Sequence, residues 1–260
     1  MLRSSSDVKQ QVSHPKKNLA STSEFMNKLN PKSVSKEFQK EIDQLLEYYD
    51  RATGALRGLT TASNDISLLN EQVFLSAAVS FEGALSDLYF AYINKDSSCF
   101  FAAKEQKIKD SMTETFGSWY ASKISIPHLK HVKTDELYPL LDPRGYNITF
   151  QNTRSMVAQA RKNLLPDFAI KYKAITVHQR KLADCIKCIR NYIAHRSDSG
   201  FDSMTKALSS LSNGPYSSLS RSSDYRVKSV GAYLKSSTGA GSRTQLYLKE
   251  MRALINAIGC

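Results

Sequence analysis

One long run of apolar side chains at helical spacing limits what this chain can become. Ile66, Leu69, Val73, Phe74, Ala77, Phe81, Leu85, Leu88, Tyr89 and Tyr92 recur every three or four residues. The stripe they form is wide enough to need partners on several sides, so the helix is expected at the centre of a bundle. Ser63 or Asn64 is suited to cap its start. A second stripe, Leu182, Cys185, Ile186, Ile189 and Ile193, has offsets of +3, +4, +7 and +11 and predicts a helix over 174–195. Phe38, Ile42, Leu45, Leu46 and Tyr49 predict another from 35 to about 59. A helix is expected over 104–123, including the single tryptophan, Trp119. Pro127, Pro139, Pro143 and Gly145 then break the chain into loops and short pieces. A short helix follows Asn152, Pro166 starts the run that ends in the 174–195 stripe, a short helix lies near 202–211, and Ser242 or Thr244 caps a final one carrying Leu248, Met251, Leu254, Ile255 and Ile258. With no internal repeat, the expected fold is all-α, and 260 residues suffice for a sizeable core.

The ends of the chain read differently. Residues 1–36 hold seven Lys/Arg and two Asp/Glu, which is +5 of the formal charge of +12. Residues 1–35 are therefore expected to be a basic, flexible arm. The domain proper is read as 36–260: a core over 36–212, a Ser/Gly-rich loop or hairpin over 213–241, and a C-terminal helix over 242–258. The net charge favours a polyanionic partner, nucleic acid or an acidic membrane. The N-terminus lacks an apolar core of the kind a secretory signal needs, and no run approaches about 18 consecutive apolar residues. Cys99, Cys185, Cys188 and Cys260 show no disulfide-like spacing. These features place the expectation in a soluble protein of a reducing cytoplasm.

Several chemistries find no support. There is no GxxxxGK[ST] loop, no GxGxxG after a strand and no HExxH. His128 and His131 lie three apart without a neighbouring cluster of ligands, so no metal is expected there. Cys185 and Cys188 form a CxxC, but Cys185 falls on the apolar stripe and reads as a buried structural thiol.

Arg190, Asn191 and His195 stand out. They close the most regular stripe, where the pattern gives way to polar RSDSG. With 13 arginines and 5 histidines in 260 residues, chance supplies about 0.25 Arg-x4-His pairs; requiring Asn after the Arg lowers this to about 0.01. A guanidinium grips phosphate and steadies growing negative charge, and an imidazole moves protons near neutrality. Five helical residues turn the chain by about 140°, so both side chains reach one groove if the helix ends there. The competing reading is structural: Arg190 as an ion pair with Asp184 or Glu82, His195 as a helix C-cap.

The string IRNYIAHRSDS resembles the hallmark of the HEPN superfamily, Arg-x(4–6)-His, often with Asn after the Arg. LSAAVSFEGALSDLYFAYI resembles the long helix of HEPN groups that carry an acidic residue after an aromatic, here Phe81-Glu82. The likeness covers about 36–212. It implies an up-and-down helical bundle that pairs as a homodimer with two motifs facing one cleft, and RNA cleavage without metal or other cofactor. It makes His195 general base or acid, Arg190 the stabiliser of the phosphorane and Asn191 an orienting residue. Glu82 then holds Arg190 or His195 in place, and Arg196 and Lys187 contact the RNA backbone. The products are a 2′,3′-cyclic phosphate and a 5′-hydroxyl, as expected of a growth-arresting toxin or antiviral effector with an antitoxin or defence partner. The chain departs from some HEPN toxins at Ser197, where those carry a Tyr that a nucleotidyltransferase modifies. A second class stays open, a catalytically inactive module that binds RNA or protein. A membrane-surface role is disfavoured, because no basic amphipathic helix with exposed bulky apolar residues stands out.

Overall fold

The computed structural model describes residues 29–143, 148–221, 227, 229–239 and 241–260. The expected arm up to residue 28, the break at Gly145 and parts of 213–241 lie outside them. Eleven α-helices and no strand occur among the described residues, so the chain is an all-α helical bundle. The helices are α1 (Pro31–Leu56), α2 (Ala62–Lys95), α3 (Ser98–Phe116), α4 (Ser118–Ala121), α5 (Thr134–Leu141) and α6 (Thr153–Asn163). They continue with α7 (Pro166–Lys173), α8 (Val177–His195), α9 (Asp198–Ser209), α10 (Val230–Lys235) and α11 (Arg243–Gly259).

Local chemistry sets most of the boundaries. Asn30 accepts the Lys32 amide and Pro31 occupies the first turn, where a missing N–H costs nothing. The helical body therefore begins at 31, not 36, and already buries Ser35. Asn152, Thr176 and Ser242 each close a reciprocal capping box, with Ser155, Gln179 and Gln245, at the starts of α6, α8 and α11. Asp65 in the first turn of α2 and Lys95 in its last suit the helix dipole. The residue that precedes this helix is Thr61, two or three positions ahead of the expected cap.

The long apolar helix α2 is the centre. Its neighbours are read from partners across the interfaces. Leu29, Phe38 and Glu41 meet Asn94, Phe81 and Ser80, so α1 runs antiparallel to α2. Gln39, Asp43 and Asp50 meet Asn256, Arg252 and Gln245, so α11 runs antiparallel to α1. Phe74 stands edge-on to Tyr247 and the Tyr92 hydroxyl donates to the Ile258 carbonyl, which sets α11 parallel to α2. Glu71 and Glu82 of α2 face Arg196 and Arg190, so α8 runs antiparallel along the other side. An 18-residue window of α2 reaches a mean hydropathy of 1.2, enough by length and composition to cross a membrane, and more than half of it is buried inside the molecule.

Three expectations are corrected. The helix predicted over 104–123 starts six residues earlier, where Asp96 accepts the Ser98 amide, and it breaks at Gly117. Pro139 lies inside α5 and does not end it. The stretch over 213–241 holds α10, which docks on α2, and a short 3-10 turn at Ser217–Leu219.

Candidate functional site

Two stripes share α8. Leu182, Cys185, Ile186, Ile189 and Ile193 are buried against the rest of the bundle. Asp184, Lys187, Cys188, Asn191 and His195 follow at similar offsets on a neighbouring face. These five line an open groove of about 500 Å³, closed on its other sides by Gln151 and Asn152 ahead of α6 and by Ser197, Ser199, Gly200 and Ser203 at the start of α9. His195 is the last residue of α8 and is exposed. Arg196 follows with φ 50°, the one non-glycine residue with positive φ among those described. That left-handed step ends the helix and sends the chain into α9, whose first turn is capped by Ser197. The groove thus owes its open end to the turn directly after the histidine.

Arg190 does not line this groove. Its side chain turns toward α2, where one guanidinium nitrogen lies 3.7 Å from the Glu82 carboxylate. Another donates to the Asn191 Oδ1 at 2.9 Å. Asn191 is therefore the link between the arginine and the groove, and the 140° between positions 190 and 195 is expressed as two facings of one helix. The pairing is incomplete: Arg190 Nε and Glu82 Oε1 are buried without a hydrogen-bond partner. Buried polar atoms left so are costly, by about 1–3 kcal/mol each. Glu82 also lines a small, largely apolar cavity of about 40 Å³ behind the groove, with Phe81, Phe150, Met156 and Ile186. Asp184 and Lys187 border both spaces.

The remaining expected residues are more committed than the sequence suggests. The Lys187 ammonium donates to the Phe150 carbonyl. Arg196 pairs with Glu71 and lies 5.3 Å over the Tyr192 ring, while the second Glu71 oxygen accepts the Gly231 amide. Asp184 accepts both the amide and the hydroxyl of Thr153, at 2.7 and 2.9 Å. That leaves Glu82, of the two acids weighed, as the one facing Arg190.

The two other groups considered in the sequence fall apart in space. His128 pairs with Glu105 at 2.6 Å, whereas His131 meets the Asn94 carbonyl at 2.8 Å. Lys109 joins Glu105, and the two neighbours hold its carboxyl down at about 2. Among the described residues, no group of three His, Cys, Asp or Glu is placed to hold a metal ion. Cys185 is fully buried with its sulfur 3.8 Å from the Tyr247 hydroxyl, and burial pushes its thiol up to about 12. Cys188 instead opens to the groove.

Sequence reasoning missed Asp184 and Cys188 as groove residues and Glu71 as the partner of Arg196. The first two were signalled by the polar positions running beside the apolar stripe of α8. Nothing local announces Glu71, which lies 125 positions from Arg196. No family model, no curated protein and no solved structure matches this chain.

Proposed function

We propose that the chain is a metal-independent endoribonuclease whose reacting groups meet in the groove at the end of α8. One observation carries the reading: the His195 imidazole is exposed in an open groove beside Asn191, and Asn191 is hydrogen-bonded to Arg190. RNA brings its own nucleophile. The 2′-hydroxyl loses its proton to one base, attacks the adjacent phosphorus and expels the 5′-oxygen, which gains a proton. A 2′,3′-cyclic phosphate and a 5′-hydroxyl result. His195 serves as the base or the acid, and a second copy facing the same cleft would bring the complementary imidazole. Arg190 steadies the phosphorane after its guanidinium swings from Glu82, with Asn191 guiding it. Glu82 parks the arginine between turnovers. The biological setting that suits this chemistry is a cytoplasmic toxin or defence nuclease held in check by a partner.

A second reading has its own support. Arg190 is engaged by Glu82 and stands outside the groove, the arrangement expected of a bundle that binds RNA or protein without cutting it.

Purified protein incubated with total RNA in EDTA separates the two. The nuclease reading expects cyclic-phosphate ends, with His195→Ala slowed by about 10²–10⁴-fold and Arg190→Ala by about 10²–10³-fold. RNA that is retained but left intact by the wild type favours the silent module. Cleavage that His195→Ala performs equally well overturns the assignment of the groove.

A further inference from the structure

A different surface carries an inference independent of the groove. Helix α3 ends at Gly117, whose φ of 91° is a conformation side chains rarely take, and α4 restarts at once with Ser118. The break gathers Phe116, Trp119 and Tyr120 at one corner. All three are exposed, at 59%, 66% and 54%. The Trp119 and Tyr120 ring centres lie 5.0 Å apart with planes at 88°, and those of Phe116 and Tyr120 lie 6.2 Å apart at 62°. The Lys123 ammonium stands 5.5 Å over the Trp119 ring.

Single exposed aromatics are ordinary, but three joined through Tyr120 form a patch that water solvates poorly. Lys123 brings a positive charge to the corner, and the chain as a whole carries a formal charge of +12. Rings set at steep angles present π-faces in several directions. Unstacked bases of a flexible strand can each find a face, whereas a lipid interface would favour rings lying in a common layer.

We infer that the Phe116–Trp119–Tyr120 corner is a stacking platform for single-stranded nucleic acid, with Lys123 and the net positive charge of the chain attracting the phosphates. It reads no particular sequence, because every base offers a π-face. It would stand whether or not the groove cuts RNA.

Trp119 is the single tryptophan in the chain, so its fluorescence reports on this corner alone. The test titrates the full chain with a twenty-nucleotide oligothymidylate, which lacks the 2′-hydroxyl and so cannot be consumed by the proposed nuclease. The expected result is saturable quenching that weakens steeply with added salt. In anisotropy with the labelled oligonucleotide, Trp119→Ala and Phe116→Ala should each bind about 5- to 100-fold more weakly. Circular dichroism and Tm should match the wild type, since both side chains are exposed. Quenching should persist in His195→Ala, which keeps this inference separate from the nuclease reading.

The platform is overturned if the oligonucleotide fails to bind, binds without altering Trp119 fluorescence, or binds Trp119→Ala as tightly as the wild type. A response to phosphatidylserine vesicles alone assigns the corner to a membrane and overturns it too. So does a concentration-dependent self-association that Trp119→Ala abolishes while the oligonucleotide has no effect.

Discussion

Arg196 adopts a backbone conformation that costs an L-residue about 1–2 kcal/mol. Glycine would take it freely, so the side chain must return something: the pair with Glu71 and the contact over Tyr192. Arg196→Ala keeps the strain and loses both contacts, whereas Arg196→Gly loses the contacts but relieves the strain. Arg196→Ala is therefore expected about 1 kcal/mol below the wild type, with Arg196→Gly above the alanine variant because the strain is relieved. An alanine variant as stable as the glycine one would mean that the turn is not strained. Residues with displaced pKa values make stability depend on pH at both extremes. The Cys185 thiol is protonated in the folded state up to about 12, above its ordinary value near 9, so its contribution is complete below pH 9 and fades as pH rises toward 12. Burial raises Tyr172 and Tyr247 in the same direction. Glu105 acts at the other end: held at about 2 rather than 4.5, it favours the folded state above pH 4.5 and loses that effect as pH falls toward 2. Denaturant melts across pH should show both flanks. A thiol reagent at pH 8 should label exposed Cys260 quickly and Cys185 only after unfolding.

Among the elements, α8 was the most readable and α10 the least. The stripe of α8 repeats over three turns, and its burial leaves little freedom about which face turns inward. The motif residues were legible for the same reason. Which way each would face was not, because that depends on how α8 is rotated against α2: Arg190 turns to Glu82 while His195 stays with the groove. Helix α10 has six residues in a Ser/Gly-rich surrounding, too few to show a period. Its position is set by tertiary contacts, the Glu71 carboxylate on the Gly231 amide and a backbone approach so close that a Cβ on Gly231 would lie 2.5 Å from the Ser67 carbonyl oxygen. Gly231→Ala must push α10 off α2, at a cost of about 1–3 kcal/mol. A Tm equal to the wild type would mean that this contact is looser than it stands. The start of α3 was hidden for a related reason: its N-cap, Ser97, makes no side-chain cap bond, and the first amide is taken instead by Asp96, which also ends the helix before it.

At the scale of the molecule, α2 joins the parts into one unit. It touches α1, α5, α8, α10 and α11, so displacing any of these five uncovers its apolar surface. Phe74, fully buried and edge-on to Tyr247, lies in that shared interior. Phe74→Ala should lower stability by about 3–5 kcal/mol and do so in a single transition seen alike by far-UV and near-UV circular dichroism. Two separate transitions would show that the bundle is divided. The same arrangement brings Leu29 onto Asn94, and Ile258 onto Tyr92, at one end of the central helix. The start of the described helical body and the end of α11 can therefore be joined by a peptide bridge from the end of α11 to residue 29, with the polypeptide opened elsewhere, for instance between α9 and the 3-10 turn. The rearranged order of helices would then fold to the same interior, because none of its contacts depends on where synthesis starts.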